Sequence, residues 1–198
     1  TASVVTFHTS YVDLKRLLDC VLHSSIDIFF IIDNSSNDSL REFASLSDKI
    51  VYIHSDNLGF GSGHNIAIRR SIELGAQYHA VINPDIYWEG DVAKPLAGFM
   101  DKQEDCGLVM PKVLYPNGNV QYLCKLLPTP MDLFGRRFIP FNAYQDKHDA
   151  WFELHHTGYD KVMEVPSLSG CFMFMRVETL KQVGGFDERF FMYAEDLD

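Results

Sequence analysis

Acidic residues in this sequence stand at three places where they could do chemistry. Asp33 and Asp85 each follow an apolar run, and Glu195 and Asp196 form an acidic pair behind an aromatic run. A carboxylate can ligate a hard divalent cation, accept hydrogen bonds from a ligand, or remove a proton from a hydroxyl group. What each one does depends on the strands and helices that position it.

Asp85 follows an apolar run that predicts a buried strand. Residues 79–82 have strand-forming character, and Asn83 and Pro84 end the run because proline has no amide hydrogen for a sheet ladder. Asp85 is therefore expected at the carboxyl end of a strand, where open α/β sheets bind ligands. A cation that accompanies a diphosphate suits such a carboxylate. An ordinary Asn-Pro-Asp turn is the alternative.

Asp33 follows a second run, residues 26–32, which is nearly continuous and rich in β-branched residues. This pattern is typical of a strand buried on both faces in a parallel sheet. Asp33 is a candidate acceptor for hydrogen bonds from a base or a ribose, or a turn residue that caps its own loop. Ser39 and Glu42 have the spacing of a capping box and predict the start of a helix.

Three alternating glycines lie between a predicted strand at residues 50–54 and a predicted helix at residues 66–74. Gly59, Gly61 and Gly63 would let the backbone approach a phosphate or sugar, with the amides of the helix facing the anion. Their spacing is neither that of a dinucleotide fingerprint nor that of a P-loop. A flexible connector is the alternative.

The remaining pattern is one of strands alternating with amphipathic helices. Helices are predicted over residues 14–22, 92–100 and 178–182, and strands over residues 2–7, 107–113, 162–166 and 169–175. This alternation, with a strand buried on both faces at residues 26–32, favours an α/β fold with parallel strands. A turn is expected at residues 115–119, and Gly184 and Gly185 are expected to end the last helix.

Residues 125–160 show no clear periodicity, and we interpret them as an acceptor-side loop region. Their aromatic side chains could stack on sugar rings or pack the loop onto the body of the domain. These aromatic residues are Phe134, Phe138, Phe141, Tyr144 and Trp151.

Composition excludes several classes of protein. With 198 residues and a formal charge of -10, the chain suits one domain, residues 1–198, and lacks the basic character of a nucleic-acid-binding protein. No apolar run is long enough to span a bilayer, and no signal-peptide pattern begins the chain. The four cysteines are widely spaced, which favours reduced thiols in a cytosolic protein over a zinc site or disulfides.

In this order, the motifs resemble those of the inverting glycosyltransferases of family 2, particularly the rhamnosyltransferase-like branch that builds bacterial surface polysaccharide. Six stretches carry the resemblance, and they span nearly the whole chain: residues 4–8, 32–38, 57–65, 83–85, 169–173 and 184–196.

The resemblance implies a GT-A type fold, with a mostly parallel central sheet flanked by helices, that binds a nucleotide-diphosphate sugar with Mg²⁺ or Mn²⁺. Asp85 would hold the metal, Asp196 would be the catalytic base with Glu195 as second choice, and Asp33 would contact the base of the nucleotide. The nucleotide-binding residues that it implies are Thr6, His8, Asp33, Asn34, Asn57, Gly61, Asn65 and Asn83.

This sequence departs from the family pattern at three places. Phe7 and His8 stand where the family often has Tyr-Asn, and Asn83 stands where the first acid of a DXD motif would be. The chain also stops at Asp198, where the family continues, so a truncated domain with impaired activity is expected.

The implied function is transfer of a sugar, such as rhamnose or another deoxyhexose, to a hydroxyl of a glycan or lipid-linked acceptor. The implied location is the cytoplasm, against the inner face of the membrane when the acceptor is lipid-linked. Two alternatives stay open. A sugar nucleotidyltransferase would want a basic glycine-rich loop after the first strand, which residues 9–15 do not offer, and a non-catalytic module would bind nucleotide sugar or glycan without turnover.

Overall fold

A computed structural model describes residues 1–129 and 142–192, without the side chains of residues 142–146. These residues form two compact units, one of residues 1–111 and 170–192 and the other of residues 112–129 and 142–169. The second unit is inserted into the sequence of the first.

In chain order, the strands among the described residues are β1 (Ala2–Thr6), β2 (Phe29–Asp33), β3 (Ile50–His54), β4 (Tyr78–Ile82), β5 (Leu108–Val109), β6 (Cys124–Lys125), β7 (Ser167–Leu168) and β8 (Phe172–Arg176). The first unit is built on a six-stranded sheet with the order β3-β2-β1-β4-β8-β5. Strands β1 to β4 are parallel, and β8 runs antiparallel to both β4 and β5. The predicted, mostly parallel sheet is therefore confirmed.

The helices among the described residues are α1 (Tyr11–Leu22), a 3-10 helix (Ser39–Leu46), α2 (Phe60–Glu73), α3 (Ala93–Met100), α4 (Asn142–Phe152), a second 3-10 helix (His155–Thr157) and α5 (Val177–Val183). Helices cover both faces of the six-stranded sheet because successive side chains of a strand point to opposite faces. On one face, Phe29 and Ile31 pack in one buried cluster with the apolar stripe of α1. On the other, Phe30 and Ile32 pack with Ala67 of α2.

The prediction for the glycine motif is wrong about where the helix begins. Helix α2 starts at Phe60, so Gly61 and Gly63 lie inside it and not in a loop before residue 66. At Gly63, a Cβ atom would lie 2.7 Å from Cγ2 of Val5 on β1. This glycine therefore serves close packing of α2 on the sheet.

The predicted capping box at Ser39 is also wrong. The helix there is a 3-10 helix preceded by Asp38, and no side chain caps it. The side chain of Asn37 accepts the hydrogen bond from the Ser39 amide, and the carbonyl of Asp38 accepts one from the Arg41 amide. These local contacts replace the reciprocal pair that Ser39 and Glu42 would have formed.

The helices after β4 agree better with the sequence. Helix α3 tolerates Pro95 because its position in the first turn needs no amide donor. Helix α5 ends at Gly184, which has a φ of 91° and donates its amide to the carbonyl of Leu180. The predicted glycine stop is confirmed.

The second unit contains α4 and the antiparallel pair of β6 and β7. The predicted turn is confirmed by a hydrogen bond of 2.7 Å from the Tyr115 amide to the Asn119 carbonyl. The strand predicted over residues 162–166 is wrong; Ser167 and Leu168 pair instead, directly after Pro166. Trp151 is 57% exposed, and the side chains of the other four aromatic residues singled out within residues 125–160 lie outside the described part, so the choice between stacking on sugars and packing of the loop stays open.

Candidate functional site

The carboxyl ends of the four parallel strands meet at one edge of the sheet. Thr6 of β1 is in register with Asp33 of β2, and Asp33 is in register with His54 of β3. The turn that carries Asp85 follows β4 at the same edge. Because this edge of an open α/β sheet is where ligands bind, the predicted residues are brought to a suitable place.

Asp33 lies at the centre of this row and is completely buried. Its carboxylate accepts hydrogen bonds from the Thr6 hydroxyl at 3.0 Å, the Ser35 amide at 3.1 Å and the Tyr52 hydroxyl at 2.7 Å. Burial acts to raise the pKa of Asp33, but the hydrogen bonds from Ser35, Tyr52 and Thr6 outweigh it and the pKa is lowered. Asp33 thus caps its own loop, which is the alternative that the sequence left open.

Ser35 links the first loop of this edge to the third strand. Its hydroxyl accepts a hydrogen bond of 2.8 Å from the His8 amide, and its carbonyl lies 2.8 Å from Nε2 of His54. His8 has a φ of 51°, a left-handed conformation that is uncommon outside glycine. The exposed side chains of Phe7 and His8 lie edge to face next to this loop.

Asn34 and Asn57 occupy different environments in the loops that follow β2 and β3. The buried Asn34 donates a hydrogen bond from its backbone amide to the Thr6 carbonyl, and its side-chain Oδ1 accepts a hydrogen bond of 2.9 Å from the Ser55 hydroxyl. Asn57 is exposed, and its Oδ1 accepts a weak hydrogen bond from the Gly59 amide at 3.4 Å.

The glycine motif contributes the first turns of α2 to the site. Gly61 is buried in the first turn, and Asn65 is buried one turn later. The side-chain amide of Asn65 is hydrogen-bonded to Phe186 and Glu188.

The turn after β4 presents a single carboxylate. Asp85 is exposed, and Asn83 is half-buried. The backbone amide of Asn83 donates a hydrogen bond of 2.9 Å to the carbonyl of Cys171. The Ile86 amide donates back to the Asn83 carbonyl and closes the turn. Within residues 1–129 and 142–192, no cluster of three or more His, Cys, Asp or Glu side chains could hold a metal by itself.

Sequence reasoning missed the contacts that hold this turn onto α1. The Cys20 thiol donates to the Trp88 carbonyl at 3.1 Å and accepts from the Trp88 amide at 3.3 Å. The guanidinium carbon of Arg16 lies 3.2 Å from the ring centroid of Tyr87. Arg16 and Cys20 are four residues apart and therefore share a helix face, which was the signal available in the sequence.

Sequence reasoning also missed a buried network between β1, β4 and α2. The Ser3 hydroxyl lies 2.8 Å from Nδ1 of His64 and 2.9 Å from Nε2 of His79. On the other side of His79, Nδ1 lies 2.8 Å from the Ser71 hydroxyl. Burial lowers the pKa of His64 to about 3 and holds the pKa of His79 well below its usual value, so both imidazoles are neutral.

The predicted catalytic residues Glu195 and Asp196 lie outside the described residues. Their positions relative to Asp85 therefore stay a prediction.

The sequence matches the family described as Glycosyl transferase family 2 over residues 3–184. The chain belongs to this family. That assignment confirms the resemblance drawn from the motifs, and the rhamnosyltransferase-like branch is supported by its relatives.

Two curated relatives show how far the similarity extends in the family. The low-salt glycan biosynthesis hexosyltransferase Agl10 of Haloferax volcanii is 26% identical over 98% of this chain and 58% of its own length. The N-acetylglucosaminyl-diphospho-decaprenol L-rhamnosyltransferase of Mycobacterium tuberculosis is 28% identical over 72% of this chain and 48% of its own length. The chain thus spans about half the length of these family 2 relatives.

Two solved structures share the fold. The mannosyltransferase PcManGT from Pyrobaculum calidifontis, in complex with GDP-Man and Mn²⁺, covers 99% of this chain and is itself covered over 49%, with a TM-score of 0.59 and 16% identity. S. aureus TarS gives a TM-score of 0.57 with 15% identity, over 99% of this chain and 31% of that chain. The family 2 chain therefore has the predicted GT-A fold.

Among the described helices, none has the length and apolar character needed to cross a bilayer.

Proposed function

We propose that this protein transfers a sugar from a nucleotide-diphosphate donor to a hydroxyl group of a glycan or lipid-linked acceptor, with inversion at the anomeric carbon. One observation carries the proposal. The chain belongs to glycosyl transferase family 2, and its polar residues meet at one edge of the sheet. Thr6 and Asp33 are the last residues of the parallel strands β1 and β2, and the turn with the exposed Asp85 follows the parallel strand β4 at the same edge. Such an edge suits a nucleotide and its diphosphate.

Asp85 is our candidate for the metal ligand, with Mg²⁺ or Mn²⁺ as the ion. The donor chemistry fits, because the exposed carboxylate of Asp85 and the side-chain oxygen of Asn83, two residues earlier in the sequence, are the hard ligands that these ions prefer. A single carboxylate leaves most coordination positions to the diphosphate and water, so we expect metal and nucleotide to bind together. When bound, the ion would stabilise the negative charge that develops on the leaving diphosphate.

The polar groups around Asp33 are our candidates for the nucleotide pocket. The carboxylate itself is enclosed and holds Thr6 and the loop at Ser35 in place. We therefore assign to Asp33 the shaping of this pocket, and to the exposed His8 and the loop residue Ser36 the contacts with the base or ribose. Asn34, Asn57, Gly61 and Asn83 complete the pocket in this proposal.

Asp196 is our candidate for the catalytic base, with Glu195 as second choice. An acceptor hydroxyl is a poor nucleophile until a carboxylate removes its proton, and such assistance contributes about 10²- to 10⁴-fold. The hydroxyl oxygen forms the new bond to the anomeric carbon as the bond to the diphosphate breaks. A single displacement of this kind inverts the anomeric carbon and needs no nucleophile from the protein.

For the donor we propose a nucleotide-linked hexose or deoxyhexose such as rhamnose, used to build a surface polysaccharide. The support is the naming of the relatives, one as a hexosyltransferase and one as an L-rhamnosyltransferase. With a lipid-linked acceptor, the protein would work at the cytoplasmic face of the membrane.

Calorimetric titration with a series of nucleoside diphosphates, with and without Mn²⁺, tests the donor site. Release of the nucleoside diphosphate from sugar nucleotides, followed with and without acceptor glycans, then tests turnover. Metal-dependent binding with turnover supports a transferase, and binding without turnover would favour a non-catalytic module. No binding of any nucleoside diphosphate would contradict the proposal.

A further inference from the structure

Two motifs that lie far apart in the sequence are joined by one buried side chain. Asn65 of α2 is 5% exposed. Its Nδ2 donates to the Phe186 carbonyl at 2.8 Å and to Oε1 of Glu188 at 3.0 Å, and its Oδ1 accepts from the Phe186 amide at 2.9 Å. Both amide hydrogens and the carbonyl oxygen of Asn65 are thus used inside the protein.

Two glycines, Gly185 and Gly59, allow the chain around residues 185–191 to approach α2 closely. A Cβ atom on Gly185 would overlap Oδ1 of Asn65, and a Cβ atom on Gly59 would overlap the carbonyl oxygen of Phe191. That carbonyl also accepts a hydrogen bond of 3.0 Å from the Phe60 amide, the first of α2. Residues 184–191, which we call the docked segment, are therefore fixed on α2 at both ends.

The hydrogen bonds of Asn65 hold the docked segment on α2 more strongly than the exposed ion pair beside them. Arg69 also reaches Glu188, at 3.1 Å, but both side chains are more than half exposed, and such ion pairs contribute little. The pKa of Glu188 is lowered by its hydrogen bond from Asn65 first and by Arg69 second. The contacts made by Asn65 are the ones whose loss would leave polar groups of the buried Asn65 and the half-buried Phe186 unpaired.

We propose that Asn65 is a positioning residue for the catalytic base and not a ligand of the nucleotide. Asn65 fixes the docked segment on α2, and Glu195 and Asp196 follow that segment by four and five residues in the sequence. Both hydrogens of the Asn65 side-chain amide are donated inside the protein, so this group has none left for a nucleotide. Substitution of Asn65 should therefore impair turnover more than nucleotide affinity. This inference rests on the proposed function, since it takes the role of Asp196 from there.

The test compares Asn65→Asp with Arg69→Gln in the full chain. Asn65→Asp keeps the shape and the acceptor for the Phe186 amide, but it faces the Phe186 carbonyl and the Glu188 carboxylate with an oxygen. Arg69→Gln removes only the exposed ion pair and is the matched control. Three quantities are measured for each: amide hydrogen exchange in residues 186–191, the Kd for a nucleoside diphosphate with Mn²⁺, and kcat for sugar transfer.

For Asn65→Asp we expect faster exchange in the docked segment and a kcat lower by about tenfold or more, with the Kd within about twofold, whereas Arg69→Gln changes none of them. Gly185→Ala should reproduce this pattern, because it displaces the same contact from the other side. An equal loss of nucleotide affinity, or an unchanged kcat with a loosened segment, would overturn the proposal.

Failure of the proposed function gives a different result. If the wild-type chain neither binds nucleoside diphosphates nor transfers sugar, the proposed function is wrong and this role falls with it. If wild type is active and Asp196→Asn is inactive while Asn65→Asp keeps full kcat, only the positioning role is wrong.

Discussion

The hydroxyl of Tyr52 donates a hydrogen bond of 2.7 Å to the buried carboxylate of Asp33. This contact ties β3 to β2 directly beneath the candidate nucleotide site. Thr6 and the Ser35 amide donate to the same carboxylate, so three elements of the edge depend on one acidic side chain.

Asp33→Asn should lower the free energy of unfolding at neutral pH by about 1–3 kcal/mol, because the introduced amide group cannot accept from all three donors. Urea denaturation measures the change. Asp38→Asn is the matched control, since Asp38 is exposed and its ion pair with Arg41 is exposed too, and it should have no measurable effect. Equal effects of the two substitutions would contradict the assignment of Asp33 as the centre of the edge.

The buried histidines have a defined order of donors and acceptors. Ser71 donates its hydrogen to the Ala67 carbonyl, which leaves its oxygen to accept from Nδ1 of His79; the Thr1 hydroxyl, which donates to Ser71, also lies 3.0 Å from this nitrogen. Nε2 of His79 then accepts from Ser3, and Ser3 accepts from Nδ1 of His64. Nε2 of His64 is left as a buried lone pair, in agreement with its lack of a partner. Nitrogen chemical shifts should therefore show the Nδ1-protonated tautomer for both rings.

This network predicts a loss of stability in acid. The pKa values of His64 and His79 are lower in the folded protein than the usual 6.5, so unfolding takes up protons once the pH falls below that value. Their stabilisation is complete above pH 6.5 and declines as the pH falls from there; for His64 the decline ends near pH 3. The free energy of unfolding should lose about 1.4 kcal/mol per pH unit for each histidine.

His64→Gln removes one titrating ring and can still reach Ser3. The slope of unfolding free energy against pH, measured between about pH 6 and about pH 4, should fall by one histidine's share. A slope identical to that of wild type would show that His64 does not contribute.

Cys20 should affect the turn that carries Asp85. Cys20→Ala removes both hydrogen bonds to the Trp88 backbone, whereas Cys20→Ser keeps a group that donates and accepts. We expect the amide of Trp88 to exchange about tenfold faster in the alanine variant and to change little in the serine variant. Hydrogen exchange measured by NMR checks this, and equal exchange in wild type and Cys20→Ala would show that the thiol does not hold the turn.

Gly59 should tolerate no side chain. It has a φ of 104° and lies against the carbonyl of Phe191, so Gly59→Ala combines backbone strain with a steric overlap. We expect a loss of about 1–3 kcal/mol in unfolding free energy. Gly98→Ala is the matched control, because Gly98 lies in α3 with open space around its Cα and should gain up to about 1 kcal/mol. Thermal and urea denaturation distinguish the two outcomes.

The sequence predicted the edge of the sheet well because each strand there is a local apolar run that ends in polar residues. Asp33 and Asp85 were placed at strand ends, and the structure confirms both placements. The role of the glycines was not predictable in this way. What Gly59 and Asn65 touch is set by residues more than 120 positions further along the chain, and no local pattern contains that information.

The histidine network escaped sequence analysis for a related reason. Ser3, His64 and His79 lie on three separate elements, and the predicted burial of the strand at residues 79–82 does not show which side chains face His79. Only the packing of α2 on β1 and β4 shows that they share hydrogen bonds.

The exposed carboxylate of Asp85 after β4 is the proposed metal ligand on which donor binding depends. Nucleotide binding by Asp85→Asn measures that dependence. Calorimetry with a nucleoside diphosphate and Mn²⁺ should show affinity reduced by about tenfold or more and the metal dependence lost, since the carboxylate proposed to hold the metal is gone. Glu89→Gln, which neutralises an exposed acid four residues further on, should bind like wild type. Wild-type affinity with full metal dependence in Asp85→Asn would contradict the proposal that Asp85 holds the metal at the donor site.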